Sequence, residues 1–338
     1  MRIGCIGGQA RRVNERVIDD QWTRYLGEHA DVVKIPPLAF LKLFGGSIQK
    51  WEKRLPDSLP ELAEGLRKLC ASHDIDTIYV NMPMLIPYLL MARNHGGLDI
   101  GLLFIAHSVG SEHWMRQWIG IAPFVTERDV LLASTESSYQ ALLNISPRYE
   151  LATRLPLCIE LPERFSGTQE QAEHRPQILA IGRLEDVKNV EVLLDCFAAI
   201  RERVPDAHLL IAGEYTGQQD EQIAAYRKVI GERIERYELH DAIELPGAVV
   251  GEEKETAFRQ ADLLINLSTD PGETFGFNLI EAKIAGLPVV CTNWDGFADV
   301  VEHGVDGLLV DCDWSGDAPV IAQEMVVAAC VRLLTDPA

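Results

Sequence analysis

The sequence predicts an α/β protein built from two doubly wound, Rossmann-like parallel sheets, and three observations lead to this fold class. Short apolar runs alternate with helix-like segments along the whole chain, which is typical of parallel strands joined by crossover helices. The length of 338 residues suits two domains better than one. A polar stretch over residues 161–176, LPERFSGTQEQAEHRP, is typical of a linker. We therefore expect one domain over residues 1–165 and a second over 166–338, facing each other across a cleft.

Apolar runs predict the strands of both domains. They are mostly continuous rather than alternating, as expected for strands that helices cover on both faces. In the first half of the chain they are RIGCIG, VVKI, TIYVN, LLFIAH and VLLAS, and in the second half QILAIG, HLLIAG, AIELPG, LLINLS, PVVCT and GLLV.

The composition predicts a soluble, cytoplasmic protein. Hydrophobic residues make up 47% of the chain and charged residues 24%, as in ordinary globular proteins. No apolar run reaches the roughly 18–20 residues of a membrane span, and the opening MRIGCIGG lacks the pattern of a signal peptide. The seven cysteines are scattered without CxxC spacing, so we interpret them as core residues in a reducing compartment.

Negative charge is concentrated in the second half. Residues 1–165 contain 18 Lys and Arg against 19 Asp and Glu, whereas residues 166–338 contain 13 against 32. Nucleic-acid binding requires clustered basic residues, so this distribution argues against a nucleic-acid partner. An acidic surface also aids solubility, but solubility does not explain the asymmetry.

The segment FLKLFGGSIQKWEKRLP, residues 40–56, interleaves aromatic and basic residues. A helix lying on a membrane surface can have this composition. A surface helix that turns its apolar face to the core has it as well. We favour the second interpretation, so contact with a membrane surface is possible but not favoured.

Two cationic side chains follow a predicted strand in the second half. The run ILAIG ends at Gly182, Arg183 follows, and Lys188 precedes a helical pattern with Asn189 as its N-cap. Ligands of open parallel sheets bind beyond the carboxyl ends of the strands, where two cations could hold a diphosphate. Taken singly, such residues are more often solvated surface charges.

Two acids flank a helix start in STDPGETFGFNLIEAKIAGLPVV, residues 268–290. The run FGFN, residues 275–278, predicts a first turn whose unpaired N–H groups suit a phosphate. Glu281 lies three residues after Asn278 and therefore on the same helix face, where it could accept two hydrogen bonds from a ribose diol. Glu273, in the preceding loop, could reach another part of the same ligand. Singly, Glu281 could be a plain helix-face acid, and Glu273 a favourable charge near the helix dipole.

A histidine ends one strand of the first half. The run GLLFIAHS places His107 at the carboxyl end of a predicted strand, facing the cleft from the other side. It could be catalytic or simply a hydrogen-bonded structural residue. His113, six residues on, has no partner at metal-ligand spacing, so we predict no metal site.

Together these residues resemble the signature of the retaining glycosyltransferases of family 4, which have the two-domain GT-B fold. The E-x7-E motif corresponds to Glu273 and Glu281, and the phosphate-clamp signature to Gly182–Leu184 with Lys188. Downstream, DGFADVVEHGVDGLLV, residues 295–310, is similar to the usual continuation of the family. The first half matches more loosely, through the glycines after the first strand, AHS and LLASTESSYQALL.

The resemblance implies transfer of a hexose-type sugar from a nucleotide-diphosphate sugar to an acceptor hydroxyl, with retention of anomeric configuration. Four catalytic residues follow from it: His107, Arg183, Lys188 and Glu273. The donor-binding residues that it implies are Gly7, Gly8, Gly182, Gly247, Ala248, Val249, Thr274, Phe275, Gly276, Phe277, Asn278 and Glu281.

The same resemblance assigns these residues to parts of the donor. The two cations would bind the diphosphate, Glu281 the ribose hydroxyls and Glu273 the hydroxyls of the transferred sugar, while main-chain groups of Gly247–Val249 would meet the base. His107 would reach the sugar and the diphosphate, and Gly7 and Gly8 would approach the phosphates. No metal or other cofactor is implied, and the acceptor could be a saccharide, a lipid-linked or a small molecule.

Two features depart from the family pattern. Asn189 stands where the family usually has a glycine after the clamp lysine. The sequence ends in LLTDPA, where family members continue with helices that cross back onto the first domain.

Three other functions are compatible with the same fold, because a fold alone does not establish activity. They are a catalytically silent partner protein, a nucleotide-sugar epimerase and a two-lobed sugar receptor. The intact motif residues argue against the first, and a receptor would require a secretion signal.

Overall fold

The computed structural model describes residues 1–6, 22–157, 159, 175–314, 316 and 318–336. The chain divides into two compact units, Met1–Glu160 and Leu161–Ala338. Every run predicted as a strand forms one, and each lies in one of two six-stranded sheets. The prediction of two doubly wound parallel sheets is therefore confirmed.

The first unit alternates strands and helices along the chain. Short 3-10 turns at Pro83–Leu85, Ala122–Phe124 and Pro147–Leu151 connect some of its elements. Its strands are β1 (Arg2–Ile6), β2 (Asp31–Ile35), β3 (Thr77–Tyr79), β4 (Gly101–Ala106), β5 (Val130–Ala133) and β6 (Thr153–Arg154). Its helices are α1 (residues 22–29), α2 (Pro37–Lys42), α3 (Ile48–Glu52), α4 (Leu59–His73), α5 (Ile86–Gly96), α6 (Glu112–Ile121) and α7 (Glu136–Ile145).

The strands of the first unit pair in the order β2-β1-β3-β4-β5-β6, and all these pairs are parallel. All six residues of β4 are buried, because helices cover the sheet. Trp51, Phe104, Trp118 and Tyr149 are among the largest side chains of this core. The winding direction reverses between β1 and β3, which places the ligand crevice of such a sheet beyond the ends of these two strands.

The second unit repeats the same architecture. Two 3-10 turns, Asp186–Lys188 and His240–Ala242, precede α8 and β9. Its strands are β7 (Gln177–Ile181), β8 (His208–Ala212), β9 (Ile243–Gly247), β10 (Leu263–Asn266), β11 (Val289–Thr292), β12 (Gly307–Val310), β13 (Cys312–Asp313) and β14 (Val320–Ile321). Its helices are α8 (Val190–Arg201), α9 (Asp220–Arg236), α10 (Glu252–Gln260), α11 (Phe277–Ile284), α12 (Phe297–Val300) and α13 (Gln323–Thr335).

The main sheet of the second unit has the order β12-β11-β10-β7-β8-β9 and is parallel throughout. The chain winds from β7 outward through β8 to β9, and then continues on the other side of β7 with β10. The strands β13 and β14 form a small antiparallel pair of their own. The reversal between β7 and β10 defines the switch point of this unit.

The aromatic and basic segment over residues 40–56 belongs to the core of the first unit. It forms α2 and α3 around a turn at Gly45 and Gly46, both with positive φ. Phe40, Phe44 and Trp51 are 3%, 1% and 1% exposed, and Phe44 and Trp51 meet edge to face at 5.2 Å. The interpretation as a helix with a core-facing apolar side is confirmed. The membrane-surface alternative is wrong for these aromatic residues, because they are packed inside the unit.

The cysteines of the described residues are unpaired. Five of them are buried, namely Cys5, Cys70, Cys196, Cys291 and Cys330. Burial raises the pKa of the Cys5 and Cys70 thiols to about 11, so they are protonated at neutral pH. They act as small core residues, as the sequence predicts, whereas Cys158 lies outside the described residues.

Within the part of the chain that the structure describes, no helix combines the length and the apolar character needed to cross a membrane.

Candidate functional site

The two loops that carry the predicted cations and acids meet at the switch point of the second unit. Strand β7 ends at Ile181, shortly before Arg183, and β10 ends at Asn266, shortly before Glu273. Because β7 and β10 are parallel neighbours, their carboxyl ends open at the same edge of the sheet. The sequence prediction that these residues lie beyond strand ends is confirmed.

The loop after β7 holds Lys188 in a fixed position. Asn189 has φ 53°, in the left-handed region, where asparagine is among the few tolerated residues besides glycine. Its side-chain amide donates to the Leu267 carbonyl at 2.8 Å and to Thr269 Oγ1 at 2.9 Å. Asn189 occupies the N-cap position of α8, as predicted, but its side chain does not cap that helix. It ties the lysine loop to the loop after β10 instead.

Lys188 lies among oxygen atoms of the loop after β10. Its Nζ forms an ion pair with the Glu273 carboxylate and a hydrogen bond of 3.1 Å to Ser268 Oγ. The Asp270 carboxylate lies 3.7 Å from the same Nζ. Lys188 and Glu273 are each about one sixth exposed, at 16% and 17%. The structure thus joins two side chains that the sequence assigns to different parts of a ligand.

Arg183 extends further into solvent and is held by two acids. Its side chain is 45% exposed, Nη1 lies 2.8 Å from Glu185 Oε1, and Nη2 lies 3.8 Å from Asp270 Oδ2. Glu185 in turn accepts a hydrogen bond from the Thr216 hydroxyl. The side chains of Arg183 and Lys188 therefore converge on Asp270.

The helix α11 begins where the sequence predicts, with Gly276 at its N-cap and Phe277 as its first residue. Gly276 has φ 70°, and a Cβ there would approach Phe297 Cε1 to 2.7 Å. Asn278 donates from Nδ2 to the Ile181 carbonyl at 2.8 Å and bonds the end of β10 as well. The side chain of Asn278 therefore aligns the helix with β7, and the ring of Phe275, only 5% exposed, packs inward. These residues can meet a ligand through their backbone.

The second acid of the motif has its own cation. Glu281 Oε1 lies 2.5 Å from Lys254 Nζ, which comes from α10. Both side chains are about one quarter exposed or less. Glu281 thus presents a carboxylate that is held in place and still accessible, as ribose binding requires.

The predicted base-binding segment follows β9. Gly247 ends this strand with φ 87°, a conformation that favours glycine. Gly247 and Val249 are partly buried, and Ala248 is exposed. Thr274, just before the helix, is partly buried too. The contacts of these residues with a donor stay a prediction.

His107 lies in the first unit, directly after β4. Desolvation by the surrounding protein lowers the pKa of its imidazole from 6.5 to about 4. At neutral pH the ring is therefore uncharged, so it can exchange hydrogen bonds but adds no positive charge. Its predicted contact with the donor stays a prediction, and Gly7 and Gly8 lie outside the described residues.

Sequence reasoning missed four side chains that contact the predicted cations and acids, namely Glu185, Lys254, Ser268 and Asp270. Asp270 stood in the quoted motif, but nothing in its spacing distinguishes it from a turn residue. Lys254 precedes Glu281 by 27 positions, so only the fold reveals their contact. No group of three or more His, Cys, Asp or Glu side chains is arranged to hold a metal ion among the described residues.

Comparison with solved structures agrees with the fold of the chain. The chain resembles a sucrose-phosphate synthase from Thermosynechococcus elongatus with a TM-score of 0.71, at 18% identity, covering 100% of this chain and 90% of that one. It resembles the Anabaena protein HepE, solved in complex with UDP and glucose, with a TM-score of 0.68, at 17% identity, covering 99% and 90% of the two chains. The chain has the GT-B fold.

The family match lies in the second unit of this GT-B chain. Residues 163–320 match the family model described as Glycosyl transferases group 1. A D-inositol 3-phosphate glycosyltransferase from Pseudarthrobacter chlorophenolicus is 30% identical over 224 residues, or 63% of this chain. The chain spans about half of that relative's length, 50%.

Proposed function

We propose that this GT-B protein is a glycosyltransferase that moves a hexose-type sugar from a nucleotide-diphosphate sugar to an acceptor hydroxyl with retention of anomeric configuration. The observation that carries the proposal is the convergence of Arg183, Lys188 and Glu273 beyond the ends of β7 and β10. The match of residues 163–320 to group 1 glycosyl transferases supports it. The UDP and glucose bound by the structural neighbour support a nucleotide-sugar as the donor.

The donor binds along the carboxyl edge of the second sheet. Arg183 and Lys188 hold the diphosphate, together with the first N–H groups of α11, which point toward the ligand side of the helix. Glu281 accepts hydrogen bonds from the ribose, and Glu273 accepts them from the transferred sugar. Main-chain groups around Gly247–Val249 meet the base.

The chemistry relies on stabilising the leaving group. The bond between the anomeric carbon and the diphosphate oxygen breaks, a bond to the acceptor oxygen forms on the same face, and the acceptor proton passes to the departing diphosphate. Negative charge grows on that diphosphate, and the fixed cations Arg183 and Lys188 stabilise it. When the donor binds, its diphosphate replaces the Glu273 carboxylate as the anionic partner of Lys188. The Glu273 carboxylate is then free to accept hydrogen bonds from the sugar hydroxyls.

The reaction needs no divalent metal in this proposal. Arg183 and Lys188, which the proposal assigns to the diphosphate, would supply the positive charge that a metal ion otherwise provides. The imidazole of His107 in the first unit is neutral at pH 7, so its predicted role would rest on hydrogen bonds rather than on charge.

The proposal is tested by turnover with a panel of UDP-, GDP- and ADP-sugars in excess EDTA, with sugar and alcohol acceptors. We expect release of nucleoside diphosphate from one donor, with the product keeping the anomeric configuration. Lys188→Ala should lower the rate by about 10²–10³, because one stabiliser of developing charge is lost.

The matched control is Lys228→Ala, which removes a lysine that pairs with Glu232 on the surface of α9. Its turnover should equal that of the wild type. Activity that appears only with added magnesium or manganese would refute metal independence. Full activity of Lys188→Ala would refute the clamp, and interconversion of two donor sugars would indicate an epimerase.

A further inference from the structure

The two clamp cations are surrounded by more negative than positive charge. Arg183 contacts Glu185, Lys188 contacts Glu273, and Asp270 lies within 4 Å of both cations, at 3.8 and 3.7 Å. Two cations thus face three carboxylates. Glu273 has a role toward the sugar in the proposed function, whereas Asp270 has none.

Asp270 is held in this position from both sides. Its Oδ1 accepts a hydrogen bond of 2.7 Å from the Gly272 backbone N–H, which leaves Oδ2 directed at the two cations. Its carbonyl accepts a hydrogen bond of 2.9 Å from the indole of Trp294, and its N–H donates to Ser268 Oγ at 3.3 Å. A carboxylate fixed in this way cannot simply swing away from an arriving anion.

We propose that Asp270 is a built-in counter-anion that weakens nucleoside diphosphate binding at the Arg183–Lys188 clamp and thereby promotes product release. The inference rests on the proposed function. A diphosphate that binds the two cations approaches the Asp270 carboxylate, and like charges at such a distance repel strongly in a half-buried site. Repulsion of donor and product alike keeps the clamp from binding both too tightly, since tight uniform binding slows release without helping the chemical step.

Asp270 acts on the diphosphate by charge repulsion and takes no part in the bond changes. Replacing it with a neutral residue should therefore tighten binding of a nucleoside diphosphate, whereas damage to the loop would weaken it. The gain should be about tenfold, as expected for one unit charge near a multiply charged anion. It should shrink as salt is added, because salt screens the repulsion.

The experiment measures the affinities of UDP, GDP and ADP, and of the corresponding nucleosides, by calorimetry with the full chain. Asp270→Asn keeps an oxygen that can accept from the Gly272 N–H. Asp270→Ser keeps a short acceptor for the same turn and cannot reach the cations. Asp241→Asn alters the net charge equally and serves as the control. Asp241 is exposed and lies just before β9, at the amino ends of the strands, whereas the clamp lies beyond their carboxyl ends.

The expected result is that both Asp270 variants bind the preferred nucleoside diphosphate about tenfold more tightly than wild type, with nucleoside affinity unchanged. In stopped-flow displacement they should also release it more slowly. The Asp241 variant should bind like the wild type. If the wild type binds a diphosphate and the Asp270 variants bind it equally or more weakly, the inference is wrong while the proposed function stands. If the wild type binds none of the three diphosphates, the proposed function falls, and the inference with it.

Discussion

Lys188 and Glu273 pair across 85 positions of the chain, and this contact links the two halves of the proposed donor site. In the proposed reaction the lysine serves the diphosphate and the glutamate serves the sugar. Each is the other's partner until a donor separates them. The two glutamates of the motif consequently stand in different situations, because Glu281 keeps Lys254 as a separate counter-ion.

Neutralising each glutamate should have different effects on binding and catalysis. Glu281→Gln should raise the donor KM and the Kd for free nucleoside diphosphate by about ten- to hundredfold, because it removes a hydrogen bond between a charged carboxylate and the ribose. Glu273→Gln should lower kcat, because its contacts change as the sugar is transferred. Its diphosphate affinity should not fall, since Lys188 loses a competing anion. Steady-state kinetics combined with calorimetry measures both effects.

Lys254→Met is the matched control for the first variant, because it removes the cation that holds Glu281 and leaves Lys188 untouched. It should raise the donor KM by less than Glu281→Gln does. The assignment of roles would be reversed if Glu273→Gln lost nucleotide affinity while Glu281→Gln kept it.

The sequence could indicate these residues but not their partners. Arg183, Lys188, Glu273 and Glu281 follow from spacing relative to strands and a helix start, since parallel strands bring such positions to one edge. The pairing of Lys188 with Glu273 depends on side-chain directions across two loops, which no local pattern encodes.

Among the elements, α11 depends on a single glycine for its start. Gly276 adopts φ 70° at the N-cap, packed against Phe297 and Leu279. The conformation allows the chain to turn sharply from the loop that carries Glu273 into the helix that carries Glu281. The glycine therefore sets the relative position of the two acids.

Gly276→Ala should destabilise the protein by about 1–3 kcal/mol, because its Cβ meets a strained backbone and two buried side chains. It should also weaken nucleoside diphosphate binding. Gly231→Ala is the control, since this helical glycine of α9 has nothing within 4 Å of an added Cβ. That change should stabilise by about 0.5–1 kcal/mol and leave binding unchanged. Urea denaturation measures both, and equal stability of the two variants would contradict the argument.

The long apolar strands were predictable, whereas the shortest ones were not. Strands such as β4 and β10 are buried on both faces, so burial itself forces an apolar run. The strands β6, β13 and β14 have two residues each, too few for any pattern. The split of residues 40–56 into α2 and α3 likewise depends on the positive φ of Gly45 and Gly46.

For the whole molecule, the acidic second half is the main electrostatic fact. Residues 166–338 carry 13 basic and 32 acidic side chains, and this half contains the proposed site for an anionic donor. Within the site, three carboxylates surround the two cations of the clamp. Long-range and local charge therefore both oppose the approach of a diphosphate, and specific contacts must overcome this repulsion.

This charge arrangement predicts an unusual dependence of binding on salt. A net basic phosphate site loses affinity as ionic strength rises, whereas repulsion from an acidic surface is screened within a Debye length of about 10 Å at 0.1 M. The affinity for free nucleoside diphosphate should therefore rise severalfold between about 0.01 and 0.1 M sodium chloride. The neutral nucleoside provides the control, because its affinity should not respond to salt. A steady fall in diphosphate affinity over this range would mean that the two cations dominate the local field and that the surrounding carboxylates, Asp270 included, contribute little to it.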